Sequence, residues 1–120
     1  MKSLSLEAKF GWIKVDRKKY EKDIIIHSDG SITKRDKKKS KDLKSEYGHT
    51  PLSERELDFF GQEKFDAVYI GIGHDSALPI TPEAAKILKM HNAVISSTPK
   101  IIDRIEKEKG KFVAIIHVTC

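Results

Sequence analysis

The second half of the chain alternates between short apolar runs and amphipathic segments. Residues 66–73 (DAVYIGIG) and 93–97 (AVISS) predict buried strands, and Phe112–Val118 predicts a third. Between these strands, Thr81-Pro82 and Thr98-Pro99 each combine a capping hydroxyl with a proline at the first helical position, which predicts two helices. This strand–helix order is typical of an α/β sheet with parallel pairing and right-handed crossovers.

The closing strand is apolar on both faces. Val113 and Ile115 fall on one side, and Phe112, Ala114, Ile116 and Val118 fall on the other. We therefore predict a central strand that is covered on both faces.

The first half of the chain reads as strands joined by a turn. Phe10–Val15 and Tyr20–Ser28 predict two strands, and Asp29-Gly30 predicts a two-residue hairpin turn before a returning strand at Ser31–Thr33. Further on, Ser53–Glu56 (SERE) has the form of a capping box, with Ser53 as the cap and Glu56 reaching back to it. A short helix is expected to start there.

The positive charge is concentrated in one stretch. The formal net charge is +5, and the segment Lys34–Lys44 carries seven basic and two acidic residues, so the rest of the chain is balanced. This segment has no apolar period, and we predict that residues 34–45 form a basic loop or mobile arm. It could contact nucleic-acid phosphates non-specifically, but it lacks interleaved aromatic residues, which makes nucleic acid the weaker alternative partner.

Length and composition set the class of protein. A chain of 120 residues is expected to form a single domain over 1–120. No run of about 18 apolar residues occurs, so we expect no membrane partner. Met1–Val15 lacks the apolar region of a secretion signal, and Cys120 is the single cysteine, so we expect a cytoplasmic location.

Several motifs occur in the order found in a known family. The ending Phe112–Cys120 (FVAIIHVTC) resembles the C-terminal signature of the Mth938-like domain family, and Ile24–Thr33 resembles its strand–Asp-Gly–strand segment. Tyr69–Gly73 (YIGIG) is similar to its strand and Gly-x-Gly turn. Tyr47–His49 is similar to the entry to its first helix, and Thr98-Pro99 to the start of its last helix.

The resemblance implies a fold more than an activity. It implies a single three-layer α/β domain with an N-terminal β-hairpin, a mixed central sheet with helices packed on it, and a last strand antiparallel to its neighbours. Relatives include a mitochondrial complex I assembly factor and an adipogenesis-associated protein, and no enzyme activity is carried over. The resemblance therefore implies a non-enzymatic interaction or assembly module.

The loop 71–81 is the best candidate for a ligand site. It follows the carboxyl end of a strand and precedes a helix, which is where open α/β sheets bind ligands and where helix N-termini favour anions. A tight turn that uses glycine for backbone freedom is the alternative interpretation. The candidate ligand-binding residues are Gly71, Gly73, His74, Asp75, Ser76 and, if the first helix packs beside the loop, His49.

The remaining reactive side chains do not form a recognisable centre. One cysteine and five scattered histidines give no paired spacing for zinc, and His117 and Cys120, three apart on a strand, point to opposite faces. We predict no metal, no cofactor and no catalytic residue.

Two functions remain open. The first is an interaction module that binds an unknown protein partner or a second copy of itself. The second is a binder, or an enzyme, that holds a small anionic or nucleotide-like ligand at the loop 71–81.

Overall fold

Residues 4–120, which the computed structural model describes, form eight strands and five helical segments. The strands are β1 (Leu6–Lys9), β2 (Trp12–Val15), β3 (Lys18–Tyr20), β4 (Ile24–Ile26), β5 (Ile32–Lys34), β6 (Ala67–Ile72), β7 (Val94–Ser96) and β8 (Phe112–His117). The α-helices are α1 (Lys44–Tyr47), α2 (Pro82–Met90) and α3 (Thr98–Glu106), and the two 3₁₀ helices are Lys37–Leu43 and Glu54–Gln62.

The strands form two sheets. β1, β2 and β3 form a small antiparallel sheet, and the larger sheet has the order β5-β4-β8-β6-β7. The larger sheet is mixed, because β6 is parallel to both β7 and β8 whereas β4 is antiparallel to β8 and β5. The mixed sheet that the resemblance implied is confirmed.

The direction of the last strand agrees only in part with what the resemblance implied. β8 is antiparallel to β4, but it is parallel to β6, so the implied antiparallel direction is wrong for one of its two neighbours. The physical reason is the connection β6–α2–β7–α3–β8. Each helical crossover returns the chain to the sheet in its original direction, as the pattern of apolar segments predicted.

Two apolar cores lie on opposite faces of the larger sheet. Val113 and Ile115 pack in the core that α2 and the second 3₁₀ helix cover. Ala114 and Ile116 pack in the core that α3 and the small sheet cover. The predicted alternation of β8 is therefore confirmed, and the fold has three layers.

The strands before residue 30 differ from the prediction. The predicted strand Phe10–Val15 starts at a turn, where Gly11 has φ +93°, and β1 precedes that turn. The predicted strand Tyr20–Ser28 is divided, because Tyr20 ends β3 and Ile24 begins β4 in the other sheet. Between them lies Asp23, whose buried carboxylate has long-range partners that no local pattern reveals.

The hairpin between β4 and β5 is present, but three residues, 28–30, separate its last hydrogen-bonded pair, His27 and Ser31. The His27 amide donates to the Ser31 carbonyl at 2.8 Å, and the Gly30 amide donates to the His27 carbonyl at 2.9 Å. Only Gly30 has a positive φ (+89°), whereas the predicted turn requires one at both central residues. Asp29 instead accepts hydrogen bonds from the amide and the hydroxyl of Ser31.

The basic segment has regular structure where a loop or mobile arm was expected. Residues 37–43 form the first 3₁₀ helix and α1 follows directly. Arg35 is 1% exposed. The segment is therefore anchored through one of its own cations, whose partners are Asp23, Pro51 and Glu56.

Of the two predicted Thr-Pro helix starts, one forms the expected cap and the other does not. Thr81 caps α2, since its Oγ1 accepts a hydrogen bond from the Ala84 amide at 3.2 Å. α3 begins at Thr98, but the Thr98 hydroxyl bonds to other segments rather than to its own helix. Within residues 4–120, none of the helices has the length and apolar character needed to cross a membrane.

Candidate functional site

A small cavity lies beyond the carboxyl ends of β6 and β8. The chain leaves β6 toward β7 on one side and returns through α3 to β8 on the other side. α2 and α3 pack on opposite faces of the sheet. The chain thus reverses its direction across the sheet at β6 and β8. Such a reversal is a topological switch point, where open α/β sheets bind ligands. We call this space the switch-point cavity.

The switch-point cavity has a volume of about 190 Å³. It is smaller than the pockets of roughly 300–1,000 Å³ that hold drug-sized ligands. Four of its lining residues carry or can carry positive charge, and among residues 4–120 the main-chain carboxylate of Cys120 is the one carboxylate of a lining residue. These four are Lys37, Lys44, His49 and His117, and Thr50, Ala77, Leu78, Thr119 and Cys120 complete the lining.

One wall of the cavity is held by main-chain hydrogen bonds. The His74 amide donates to the Thr119 carbonyl at 2.8 Å. The amides of Asp75 and Ala77 donate to the main-chain oxygen of Cys120 at 3.1 and 2.9 Å. We call residues 73–81 the main-chain wall. Its amides, which the sequence suggested for an anion, bind the chain's own closing segment.

Gly71, in β6, and Gly73, in the main-chain wall, allow close approach of other segments. Gly73 has φ +101°, and a Cβ there would collide with the main chain of Cys120. At Gly71, a Cβ would lie 3.0 Å from the Thr98 hydroxyl oxygen. That hydroxyl donates to the His117 carbonyl at 2.6 Å and accepts from the Gly73 amide at 3.0 Å. Both glycines therefore serve packing within the chain.

The other predicted loop residues lie outside the cavity lining, whereas His49 lines it. The His74 ring is tilted against Phe10, with 6.1 Å between centroids, and its Nε2 is buried without a hydrogen-bond partner among residues 4–120. Asp75 and Ser76 are exposed. His49 thus lines the same cavity as Ala77 and Leu78 of the main-chain wall.

The opposite wall is held by a buried ionic cluster. Arg35 donates from Nε to Glu56 at 2.7 Å and from a terminal nitrogen to Asp23 at 2.9 Å. It also donates to the Pro51 carbonyl at 3.0 Å. The three charged side chains are 1–2% exposed. Burial opposes the charged guanidinium, but Glu56 and Asp23 hold the pKa of Arg35 above its ordinary value. We call residues 35–56 the charged wall.

The predicted capping box is replaced by contacts within this cluster. Ser53 precedes the second 3₁₀ helix, but its hydroxyl makes no capping bond and lies 2.6 Å from the Ser40 hydroxyl. Ser40 donates to Glu56 at 2.6 Å. The Glu56 carboxylate turns to Arg35 rather than back to the helix start, because a buried guanidinium requires a charged partner.

Asp23 connects the ionic cluster to the cavity. Its Oδ2 lies 2.8 Å from His117 Nδ1, and its Oδ1 accepts from the Val118 amide at 2.9 Å. His117 Nε2 lies 3.1 Å from the Thr119 hydroxyl oxygen. Burial alone would raise the pKa of Asp23, but the bonds from His117 and Val118 outweigh it and lower the pKa to about 2. Asp23 is therefore ionised, and it orients His117 toward Thr119.

The sequence reasoning missed most of these residues. Asp23 was in no predicted motif, Lys37 and Lys44 were singled out only within the basic segment, and Thr119 only within the C-terminal signature. His117 was considered with Cys120 for a metal or a nucleophile. The signal that could have found Asp23 is a lone acidic residue directly before the three isoleucines of β4. A charge at the start of a fully buried strand needs a partner.

The lining of the cavity favours an anion over a metal. Within residues 4–120, no group of three or more His, Cys, Asp and Glu side chains is placed to hold a metal ion. Ammonium groups, protonated imidazoles and hydroxyls are hydrogen-bond donors to oxyanions. The arrangement is suited to bind a small oxygen-bearing anion.

Comparison with known proteins identifies two similar structures of full length. The crystal structure of a conserved hypothetical protein, PH1505, from Pyrococcus horikoshii has 32% identity and a TM-score of 0.82 over 100% of both chains. The structure of MT938 has 30% identity and a TM-score of 0.79, covering 98% of this chain and 100% of that one. A protein from Bordetella parapertussis, at 14% identity and a TM-score of 0.54, shares the fold alone. No family model and no curated protein matches the sequence.

Proposed function

We propose that this chain, which belongs to the Mth938-like domain family and shares the small α/β fold of its structures, binds a small anion in the switch-point cavity. One observation carries the proposal. Lys37, Lys44, His49 and His117 converge on a space of about 190 Å³, and the one carboxylate among the lining residues, the main-chain carboxylate of Cys120, already accepts from the amides of Asp75 and Ala77.

The position and the size of the cavity support the same proposal. Part of its lining lies at or beyond the carboxyl ends of the parallel strands β6 and β8, at a switch point, which is where ligands of α/β sheets bind. Its volume suits an inorganic oxyanion or a small carboxylate better than a nucleotide. Asp23 lies behind the lining and offsets part of its positive charge, because its carboxylate is bonded to His117 and Arg35 and lies 3.7 Å from Lys37 Nζ, whereas Lys44 forms no ion pair within residues 4–120.

Calorimetric titration with sulfate, phosphate and adenosine monophosphate tests the proposal. The buffer is kept at low ionic strength, because salt screens exposed charges. We expect saturable binding of sulfate and phosphate. Adenosine monophosphate should bind no more tightly than phosphate. Lys44→Met should weaken the binding several-fold.

Lys86→Met is the matched control, since Lys86 is exposed on α2 and does not line the cavity. It should bind as the wild type does. If no anion binds in a saturable manner, or if both variants lose the same affinity, the proposal is wrong.

A second candidate function is self-association through β7. This strand ends the larger sheet, so one of its edges has no neighbour within residues 4–120, and Ile95 is 42% exposed there. Free strand edges pair with other chains, and a second copy offers the same edge. Sedimentation equilibrium should show a dimer that Ile95→Lys dissociates, while a wild type that stays monomeric at high concentration would exclude it.

A further inference from the structure

We propose, on the basis of the anion site proposed above, that the cavity takes up a proton on His117 together with its anion, and that the Thr119 hydroxyl then becomes a donor to the bound ligand. The hydrogen bonds around His117 support this inference, because one ring nitrogen bonds to Asp23 and the other bonds to Thr119.

The first nitrogen holds its hydrogen in both charge states. His117 Nδ1 lies 2.8 Å from Asp23 Oδ2, and the Asp23 side chain is 2% exposed. Because Arg35 also donates to this carboxylate at 2.9 Å, Asp23 is an ionised acceptor. Nδ1 is therefore the donor in the Asp23 bond, and only Nε2 gains or loses a proton.

The second nitrogen determines the direction of the Thr119 hydroxyl. His117 Nε2 lies 3.1 Å from Thr119 Oγ1. When Nε2 is unprotonated it can only accept, so the Thr119 hydroxyl donates to it and presents lone pairs to the cavity. When Nε2 is protonated it donates to Thr119 Oγ1, and the hydroxyl hydrogen is free to donate to a bound oxyanion.

The charges around His117 couple this proton to the anion. Lys37 Nζ lies 3.7 Å from Asp23 Oδ2, and Arg35 donates to the same carboxylate, so Asp23 is shared among three cationic groups once His117 is protonated. Lys44 adds positive charge across the cavity, where the His49 ring and the thiol and main-chain carboxylate of Cys120 are the other ionisable groups. A bound anion attracts a proton on His117 and is attracted by it, so anion and proton each favour the other.

The coupling also defines the class of ligand. When His117 is protonated, the side chains of Lys37, Lys44, His117 and Thr119 all act as hydrogen-bond donors. A fully deprotonated oxyanion, which offers only acceptors, is therefore the best match. A ligand that presents its own hydroxyl or amine to Thr119 is disfavoured.

Sulfate titrations at about pH 6 and about pH 8 test the coupling, since histidines titrate between these values and sulfate does not change its charge. We expect wild-type affinity to fall at least about fivefold from the lower to the higher pH, which is the lower end of common coupling factors. His117→Gln should bind weakly and with little pH dependence. His49→Gln should keep most of the pH dependence, although its own ring also faces the cavity.

Thr119 is tested by removing and by retaining its hydroxyl. Thr119→Val should lose several-fold affinity at the lower pH and converge with the wild type at the higher pH. Thr119→Ser should retain the wild-type behaviour. A Thr119→Val variant that binds sulfate as the wild type does at both pH values would contradict the assigned role of Thr119.

A measurement on the unaltered protein covers the case in which His117→Gln does not fold. In ¹⁵N NMR spectra of the wild type near neutral pH, saturating sulfate should move His117 Nε2 toward its protonated shift while Nδ1 stays protonated. Binding with an unchanged His117 ring, or with equal affinity at both pH values, would overturn the coupling and leave the anion site standing. Absence of binding at both pH values would overturn the anion site itself.

Discussion

The charged wall and the main-chain wall enclose the same cavity by different interactions. The charged wall depends on Arg35, whose guanidinium binds two buried carboxylates and one carbonyl. The main-chain wall depends on amide hydrogen bonds to Thr119 and Cys120, and on glycines that admit close approach. The comparison indicates a division of roles, in which one wall supplies charge and the other supplies a fixed shape.

This difference determines what each wall tolerates. A main-chain hydrogen bond survives most side-chain substitutions, so the main-chain wall is sensitive only where a side chain would occupy the space of another segment. A buried ion cluster fails when one member is lost, because the remaining charges stay buried without a partner. The charged wall is therefore the more vulnerable of the two.

Arg35→Met should produce the largest loss of stability. It leaves Asp23 and Glu56 buried without their guanidinium, which costs about 3–5 kcal/mol in the free energy of unfolding. Urea denaturation measures the loss. Arg55→Met, which removes an exposed pair with Asp42, should cost far less, because solvent screens exposed ion pairs. Equal losses in the two variants would show that the buried cluster is not what holds the charged wall.

Gly73→Ala should produce the next largest effect and test the main-chain wall. The positive φ of Gly73 costs about 1–2 kcal/mol for a residue with a Cβ, and the collision with Cys120 adds to it. Gly30→Ala is the matched control, because Gly30 has φ +89° and no atom lies within 4 Å of its added Cβ. A Gly73→Ala loss no larger than the Gly30→Ala loss would contradict the close approach.

Asp23→Asn should change how stability depends on acid. The pKa of Asp23 falls from 3.8 to about 2 on folding, so its ionised form stabilises the native state by about 2 kcal/mol. That contribution is present above about pH 4 and is lost as the pH falls toward about pH 2.

The difference in unfolding free energy between wild type and Asp23→Asn should therefore shrink over this acidic range. Asp103→Asn, which removes only the exposed pair with Lys107, should track the wild type within about 0.5 kcal/mol at each pH. If the difference in unfolding free energy between wild type and Asp23→Asn stays constant with pH, the contacts of Asp23 do not lower its pKa.

The second half of the fold could be predicted because its signals are local. Thr81-Pro82 caps α2 as its sequence indicates, and the two-sided apolar pattern of β8 places its residues in both cores. Each of these structures is determined by a few neighbouring residues, and the tertiary contacts favour the same structure.

The candidate site could not be predicted because its contacts are distant in sequence. Asp23 and His117 are 94 residues apart, and Arg35 and Glu56 are 21 apart. Locally, Glu56 satisfies a capping box, and Arg35 reads as one of seven solvated cations. A buried guanidinium binds its carboxylate more strongly than a helix start does, so tertiary chemistry overrides the local motif.

A crystal grown with selenate tests the central claim, the anion site between the two walls, most directly. Selenate has the shape and charge of sulfate, and selenium is located by its anomalous scattering. We predict an anomalous peak within the switch-point cavity, in contact with Lys37, Lys44 and Thr119 at mildly acidic pH. An empty cavity beside selenate bound only at exposed surface lysines would contradict the account.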